Sequence, residues 1–283
     1  MNIHLNNLYH PITAAPFRKN SSYTEVGPCD MLRPYIRCFW GTPAPIDTGT
    51  PSHDCGIVVP DTCMDVIFYV NYTENRIDGV FCALDDRSRL LTQEDASAAR
   101  RSVFGIRFYA WTASLFAEYP LTGSKNGRFS VEDFFPELKK QLEPILFEAE
   151  SLTDKVYAAG KILLKNIYTE RSDPDLMNAV CQMIRLNGTA KIGDLTSCTA
   201  VSERRLERLF AENMGASPKT LCGLIRYQML WQDILFGSSL SPSDAVEKYG
   251  YFDQAHMLND FRRRHMMSPR EAVSCAKKYA DIS

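Results

Sequence analysis

The spacing of apolar residues changes character part-way along the chain. Up to residue 110 the apolar positions fall in short β-branched and aromatic runs: Leu32 to Trp40, Gly56 to Val59, Met64 to Val70, Ile77 to Phe81 and Ser102 to Tyr109. Turn formers separate them, among them Gly41-Thr42-Pro43-Ala44-Pro45, Pro60-Asp61 and Asn71 to Asn75. Short strands at this spacing predict a small barrel or sandwich, enclosing either a packed core or one small ligand. From Ala110 the period lengthens to that of a helix. Trp111 to Tyr119 predicts a short amphipathic piece. Asp133 to Glu150 carries Phe134, Leu138, Leu142, Ile145 and Leu146 at helical spacing, with Pro144 expected to kink or divide it. Leu152 to Tyr168 repeats the theme with Val156, Ala159, Ile162, Leu163 and Ile167. This pair of helices is expected either to pack on the β-rich part or to pair with a second subunit.

Glu170-Arg171-Ser172-Asp173-Pro174 reads as a linker whose proline can start the next helix. The expected class is therefore α+β. A β-rich domain (1–110) is followed by a helical segment that packs on it or dimerises (111–172), then by an all-α domain (173–283).

In that last domain one recipe occurs twice: a short helix, a tight turn and a longer helix. Asp175 to Leu186 ends at the helix stop Asn187-Gly188. Ile192 to Cys198 is the first short helix, and Ser202 caps its partner, Glu203 to Asn213. A long helix, Pro218 to Leu235, reads as a strut. The second unit starts at Ser241-Pro242-Ser243-Asp244 and turns at Gly250. On the helical wheel Leu206, Leu209 and Phe210 share one side, while Arg204 and Arg208 fall opposite and Glu207 at the margin. In the second unit Met257, Leu258 and Phe261 form the core side and His265 joins them; Ala255, His256, Asn259 and Arg263 point away, with Gln254 in the first turn.

Two helix-turn-helix units about fifty residues apart can place their second helices in successive major grooves of duplex DNA. Outward arginines reach guanine edges or phosphates, and Glu207 can accept from a cytosine amino group. Double-stranded DNA is the expected partner.

Composition adds limits. Apolar residues make up 45% and charged residues 23%, as in a soluble globular protein. No apolar run approaches the roughly twenty residues of a membrane span, and Met1-Asn2-Ile3-His4-Leu5-Asn6-Asn7 lacks the basic start and apolar stretch of a secretory signal. A cytoplasmic location is expected. The nine cysteines are odd in number and contain no Cys-x-x-Cys pair, so free thiols are expected. His53, Cys55 and Cys63 match no common zinc spacing, and neither a metal nor a cofactor is expected. Residues 173–283 hold 14 Lys+Arg against 13 Asp+Glu, so any DNA contact must rest on local placement of charge. With no phosphate loop, nucleophile motif or acid–base pair, catalysis is not expected.

The segment from about 175 to 275 resembles the DNA-binding domain of the arabinose-regulator (AraC/XylS) family of bacterial transcription factors. The matching stretches are Val201 to Phe210, Gly215-Ala216-Ser217-Pro218, Leu224 to Gln228, Gly250 to His256, Phe261-Arg262-Arg263 and Ser268-Pro269. The resemblance implies base reading by Arg204, Glu207 and Arg208 in the first unit and by Gln254, Ala255, His256 and Asn259 in the second, with Arg262 and Arg263 on the backbone. Two family glycines are replaced, by Ala200 in the first turn and Met266 before the last Ser-Pro. Asp260, beside the reading side, is expected to weaken contact by its half.

Met31 to Trp40, Val58 to Phe68 and Phe104 to Phe108 are similar to the β-rich front domain of one branch of these regulators. That likeness implies a sensing or subunit-joining role, with a small-molecule effector, a homodimer and RNA polymerase as further partners and activation as the commoner mode. Trp40, Tyr69, Arg107 and Trp111 are candidates for a pocket lining, although core packing is the simpler expectation for Trp40 and Tyr69. Two other functions remain open. One is a DNA-repair regulator with an alkyl-accepting cysteine, which the 9, 17 and 8 residue spacings of Cys29, Cys38, Cys55 and Cys63 do not favour. The other is a helical adaptor that never touches DNA.

Overall fold

The computed structural model describes residues 5–13, 23–48, 57–90, 99–149, 151–237 and 240–280. Its strands are β1 (Thr24–Val26), β2 (Ile36–Gly41), β3 (Ile46–Thr48), β4 (Ile57–Val58), β5 (Cys63–Asn71), β6 (Arg76–Cys82), β7 (Arg89–Leu90), β8 (Ala99–Tyr109) and β9 (Arg128–Ser130). Seven form one antiparallel sheet in the order β1-β2-β8-β5-β6-β9, with β3 also on β8, while β4 pairs with β7. Strand β2 starts at Ile36 rather than Leu32, because residues 30–35 form a turn around Pro34, which has no N–H to give a ladder.

Alternation along β5 and β8 puts Met64, Val66, Phe68 and Val70 beside Phe108, Ile106 and Phe104 on one buried face. Helices α1 (Pro136–Glu148) and α2 (Leu152–Asn166) cover that face with Leu138, Leu142, Leu146, Ala159 and Leu163 in the same core. Phe81 meets Phe135 at 5.0 Å between ring centroids, and Lys155 Nζ on α2 donates to Ser102 Oγ at 2.6 Å and to the Tyr72 hydroxyl at 3.0 Å. Helix α1 runs through Pro144 undivided and begins only at Pro136.

On the opposite face Arg107 forms a two-pronged pair with Asp65 (Nε to Oδ1 2.9 Å, Nη2 to Oδ2 3.0 Å), and Trp40 Nε1 donates to Asp65 Oδ1 at 2.9 Å. Trp40 lies over Gly105, its register partner; a Cβ there would fall 2.2 Å from Trp40 Cε2. Trp40 and Tyr69, for which core packing was the simpler expectation, are thus half-buried on the outer face. Trp111 is buried instead, its ring stacked on Tyr109 at 5.2 Å. The helix expected over Trp111 to Tyr119 is only a single 3-10 turn, Ala113–Leu115. Trp111, Ala113, Leu115, Phe116 and Ala117 are all buried, so packing on several sides sets their path. The Thr112 hydroxyl also donates to Tyr35 and Tyr109 carbonyls, competing with helical bonding.

The remaining helices are α3 (Pro174–Arg185), α4 (Ile192–Ser197), α5 (Glu203–Met214), α6 (Pro218–Phe236), α7 (Pro242–Lys248), α8 (Gln254–His265) and α9 (Pro269–Ala280). One hydrophobic core runs from the sheet through α3, α4 and α5 to Ile225 in α6. A second begins at Tyr227 on the same helix and gathers Trp231, Tyr249, Met257, Phe261 and Ala272. The front part touches both. Leu121 N–H donates to the Glu212 carbonyl at 2.8 Å and Ser114 Oγ to Asn213 Oδ1 at 2.7 Å. Residues 5–13 form a strap: Tyr9 belongs to the first core, Ile12 to the second, and Ile12 N–H donates to Gln228 Oε1 at 2.9 Å. Gln228 Nε2 in turn donates to the Pro60 carbonyl at 2.8 Å. Among the described residues no helix is long and apolar enough to cross a membrane.

Gly105→Ala is expected to lower stability by about 1–3 kcal/mol, because the added methyl must displace the Trp40 ring. Urea unfolding followed by circular dichroism measures this; an unaltered midpoint would mean that Trp40 moves aside freely.

Candidate nucleic-acid interface

Helix α5 starts where Ser202 Oγ accepts the Arg205 N–H at 3.4 Å and stops at Gly215, which takes the left-handed conformation at φ 63°. Between them Leu206, Leu209 and Phe210 are buried, whereas Arg204, Glu207 and Arg208 are exposed. Ser202, Arg204, Arg205 and Arg208 line a shallow groove of about 280 Å³. The Arg208 guanidinium lies 3.7 Å from Glu212, and both side chains are well solvated. Such a pair is worth only a few tenths of a kcal/mol, so a phosphate or base can replace it cheaply.

Helix α8 repeats the design. Asp253 Oδ1 accepts the His256 N–H at 2.7 Å and caps the start. Met257 and Phe261 are buried and Leu258 is half-buried; Gln254, Ala255, His256, Asn259, Arg262 and Arg263 are exposed. All nine residues singled out from the sequence therefore lie on the surface. The Phe252 N–H donates to His256 Nδ1 at 3.4 Å, which leaves Nε2 as the protonated, donating nitrogen of the neutral ring.

Asp260 does not sit beside the reading side as expected. It is buried, 3.3 Å from Arg264 Nε, 3.1 Å from Arg263 Nη2 and 3.7 Å from Arg226 Nη2, and it accepts from the Tyr251 hydroxyl at 3.1 Å. Burial alone would raise its carboxyl, but Arg264 and Arg226 outweigh that and hold it below the usual carboxylate range. Its charge is spent inside the domain rather than against DNA. Arg226 and Arg264, which sequence reasoning passed over, are structural partners in this cluster. Their only sequence signal is an arginine on a mostly apolar helix face.

Between α5 and α8 lies an open cleft of about 610 Å³. Glu207 borders it from α5, Arg263 from α8, Lys219 and Arg226 from α6, Lys191 from the start of α4, and Asp86 from the front part. Arg264 Nη1 donates to the Asp86 carbonyl at 3.4 Å, and the Ser88 hydroxyl donates to the Arg264 carbonyl.

The two replaced glycines differ in consequence. Ala200 is not among the residues with positive φ, and its N–H donates to Asp175 Oδ1 at 2.9 Å. Met266 ends α8 in the left-handed region at φ 61°, the geometry that Gly215 adopts after α5. His265, inside the second core, shares a hydrogen bond between Nδ1 and the Tyr227 hydroxyl at 2.7 Å and stacks on Phe261 at 4.9 Å. Burial pushes its pKa down to about 4.

Of the thiols considered for chemistry, Cys38 and Cys63 are buried. Burial pushes Cys38 up to about 12 and raises Cys63 as well, opposite to what a nucleophilic thiolate needs. Cys29 is exposed, and His53 and Cys55 lie outside the described residues.

Residues 195–274 match the family model described as a helix-turn-helix domain, from within α4 to within α9, and so take in both reading helices. This part of the chain is therefore a helix-turn-helix domain. Residues 24–129 match a second model, described as a domain of unknown function (DUF6597). No curated protein matches the chain. Among solved structures, apo ToxT from Vibrio cholerae is similar at 11% identity and a TM-score of 0.39, over 84% of this chain and 97% of that one. ToxT bound to (E)-4-(8-methylnaphthalen-1-yl)but-3-enoic acid aligns at 12% identity and a TM-score of 0.40, over 82% and 99%. Seven of the nine residues singled out from the sequence lie on α5 and the first half of α8, and all nine are exposed within this helix-turn-helix domain.

Two outcomes follow from the helix end and the buried imidazole. Met266→Gly is expected to stabilise the protein by about 1 kcal/mol, because a left-handed residue with a side chain is strained and this side chain is half-exposed; urea unfolding of the two proteins is the comparison. For His265 the unfolded chain binds a proton below about 6.5 while the folded form resists until about 4. Its contribution is complete above the unfolded value and drains away as pH falls, by up to about 3 kcal/mol. The slope of stability between pH 7 and 4.5 should flatten in His265→Gln.

Proposed function

We propose that this protein is an AraC-type, sequence-specific transcription regulator that grips one face of a duplex at two points. Arg204, Glu207 and Arg208 enter one major groove; Gln254, Ala255, His256 and Asn259 enter the next, with Arg262 and Arg263 on the backbone. The observation that carries this reading is that α5 and α8 each set exposed residues over a buried apolar stripe, with one open cleft bordered by Glu207 of the first and Arg263 of the second. Exposed polar residues outward and buried Leu206, Phe210, Met257 and Phe261 behind them supply the chemistry.

The finer reading is that the protein activates transcription in the cytoplasm, without enzymatic activity, and that the front part modulates DNA affinity. The strap at Gln228 and the Asp86 and Ser88 contacts to Arg264 give that part a physical hold on the linking and second reading helices. A small-molecule effector, a homodimer and RNA polymerase are the partners this role calls for.

Selection of bound duplexes from a random-sequence pool tests the proposal, followed by mobility shifts on the enriched sequence at fixed salt. Arg208→Ala is expected to cost about 1–3 kcal/mol and to relax preference at one base position. An unaltered affinity and an unaltered enriched sequence would remove Arg208 from the reading surface.

A further inference from the structure

Phe252 is 90% exposed, the most of any large apolar side chain among the described residues. It stands in the turn of the second unit, one residue before the Asp253 cap of α8. Both sides of it are anchored. Tyr251 is buried with its hydroxyl on Asp260, and its ring meets His256 edge-on at 5.4 Å. The Phe252 N–H itself donates to His256 Nδ1 at 3.4 Å. The exposed phenyl ring stands two residues before Gln254, the first of the exposed residues Gln254, Ala255 and His256. Scattered apolar residues on a surface need no partner. An exposed ring whose backbone is tied to an outward histidine, at the entry of a reading helix, is placed beside a defined one. The major groove offers hydrogen-bonding edges and one apolar group, the C5-methyl of thymine.

We infer that Phe252 packs on a thymine methyl and extends the reading surface of the second unit beyond Gln254. This inference rests on α8 entering the major groove. The contact asks for no hydrogen bond, and a thymine would be preferred over cytosine, which lacks the methyl, at that position.

The experiment uses the full chain and a duplex enriched by it from a random pool. Each thymine in the part protected by the second unit is replaced in turn by deoxyuridine, which removes only the methyl. At one position the wild type should lose about four-fold in affinity, the worth of one buried methyl-sized group. Phe252→Ala should bind the thymine and deoxyuridine duplexes equally, be about four-fold weaker than wild type on the enriched duplex, and match it on a random duplex. Phe252→Leu should restore part of the loss. Because the side chain is exposed, the urea midpoint of Phe252→Ala should equal that of the wild type. The inference is overturned if no thymine methyl matters to the wild type, or if the methyl effect persists in Phe252→Ala. A wild type that enriches no sequence at all is a separate result, which removes the two-groove reading together with this one.

Discussion

The second reading helix is held in place by the carboxylate of Asp260. It is buried among Arg226, Arg263, Arg264 and the Tyr251 hydroxyl, so α6, the turn before α8 and α8 itself meet at one charge. A buried ion pair adds little to stability over well-packed apolar residues, but it is intolerant of being half made. Sliding α8 along α6 would strand a carboxylate or a guanidinium without a partner. Apolar contacts alone would permit such a slide at smaller cost. Arg263 belongs to this cluster and is also exposed, so the group that fixes the helix is one step from the surface proposed to meet DNA.

That arrangement matters because α6 serves two cores. Its first half closes the core shared by the sheet and the first unit, and its second half, from Tyr227, nucleates the core of the second unit. In the proposed two-groove docking, the distance between the two reading helices would have to match the repeat of a duplex. A single unbroken helix of 19 residues sets that distance by its own rigid rise.

What was legible in the sequence was what is local. The Ser202 cap, the Leu206, Leu209 and Phe210 stripe and the Gly215 stop are all written within a dozen residues, and α5 follows them closely. Strands β5 and β8 showed themselves by β-branched and aromatic alternation. The misreadings were of long range. Asp260 looked like a surface acid because Arg226 lies 34 residues away in sequence. Trp40 looked like core because nothing near it says that its ring rests on Gly105, a residue six strands later in chain order but adjacent in the sheet. Trp111 to Tyr119 has helical spacing, yet burial on several sides and the Thr112 hydroxyl override it.

The strap of residues 5–13 bears on how the chain is made. Its contacts with α6 span 216 residues of sequence, so they cannot form until α6 itself has been made. Pairings of such separation are slow to find because a long loop must close first. The sheet and its two covering helices can assemble early during synthesis. The strap's hold on α6 therefore forms after the front part has been made; Tyr9 can already pack on Trp111, while Ile12 waits for its partners on α6.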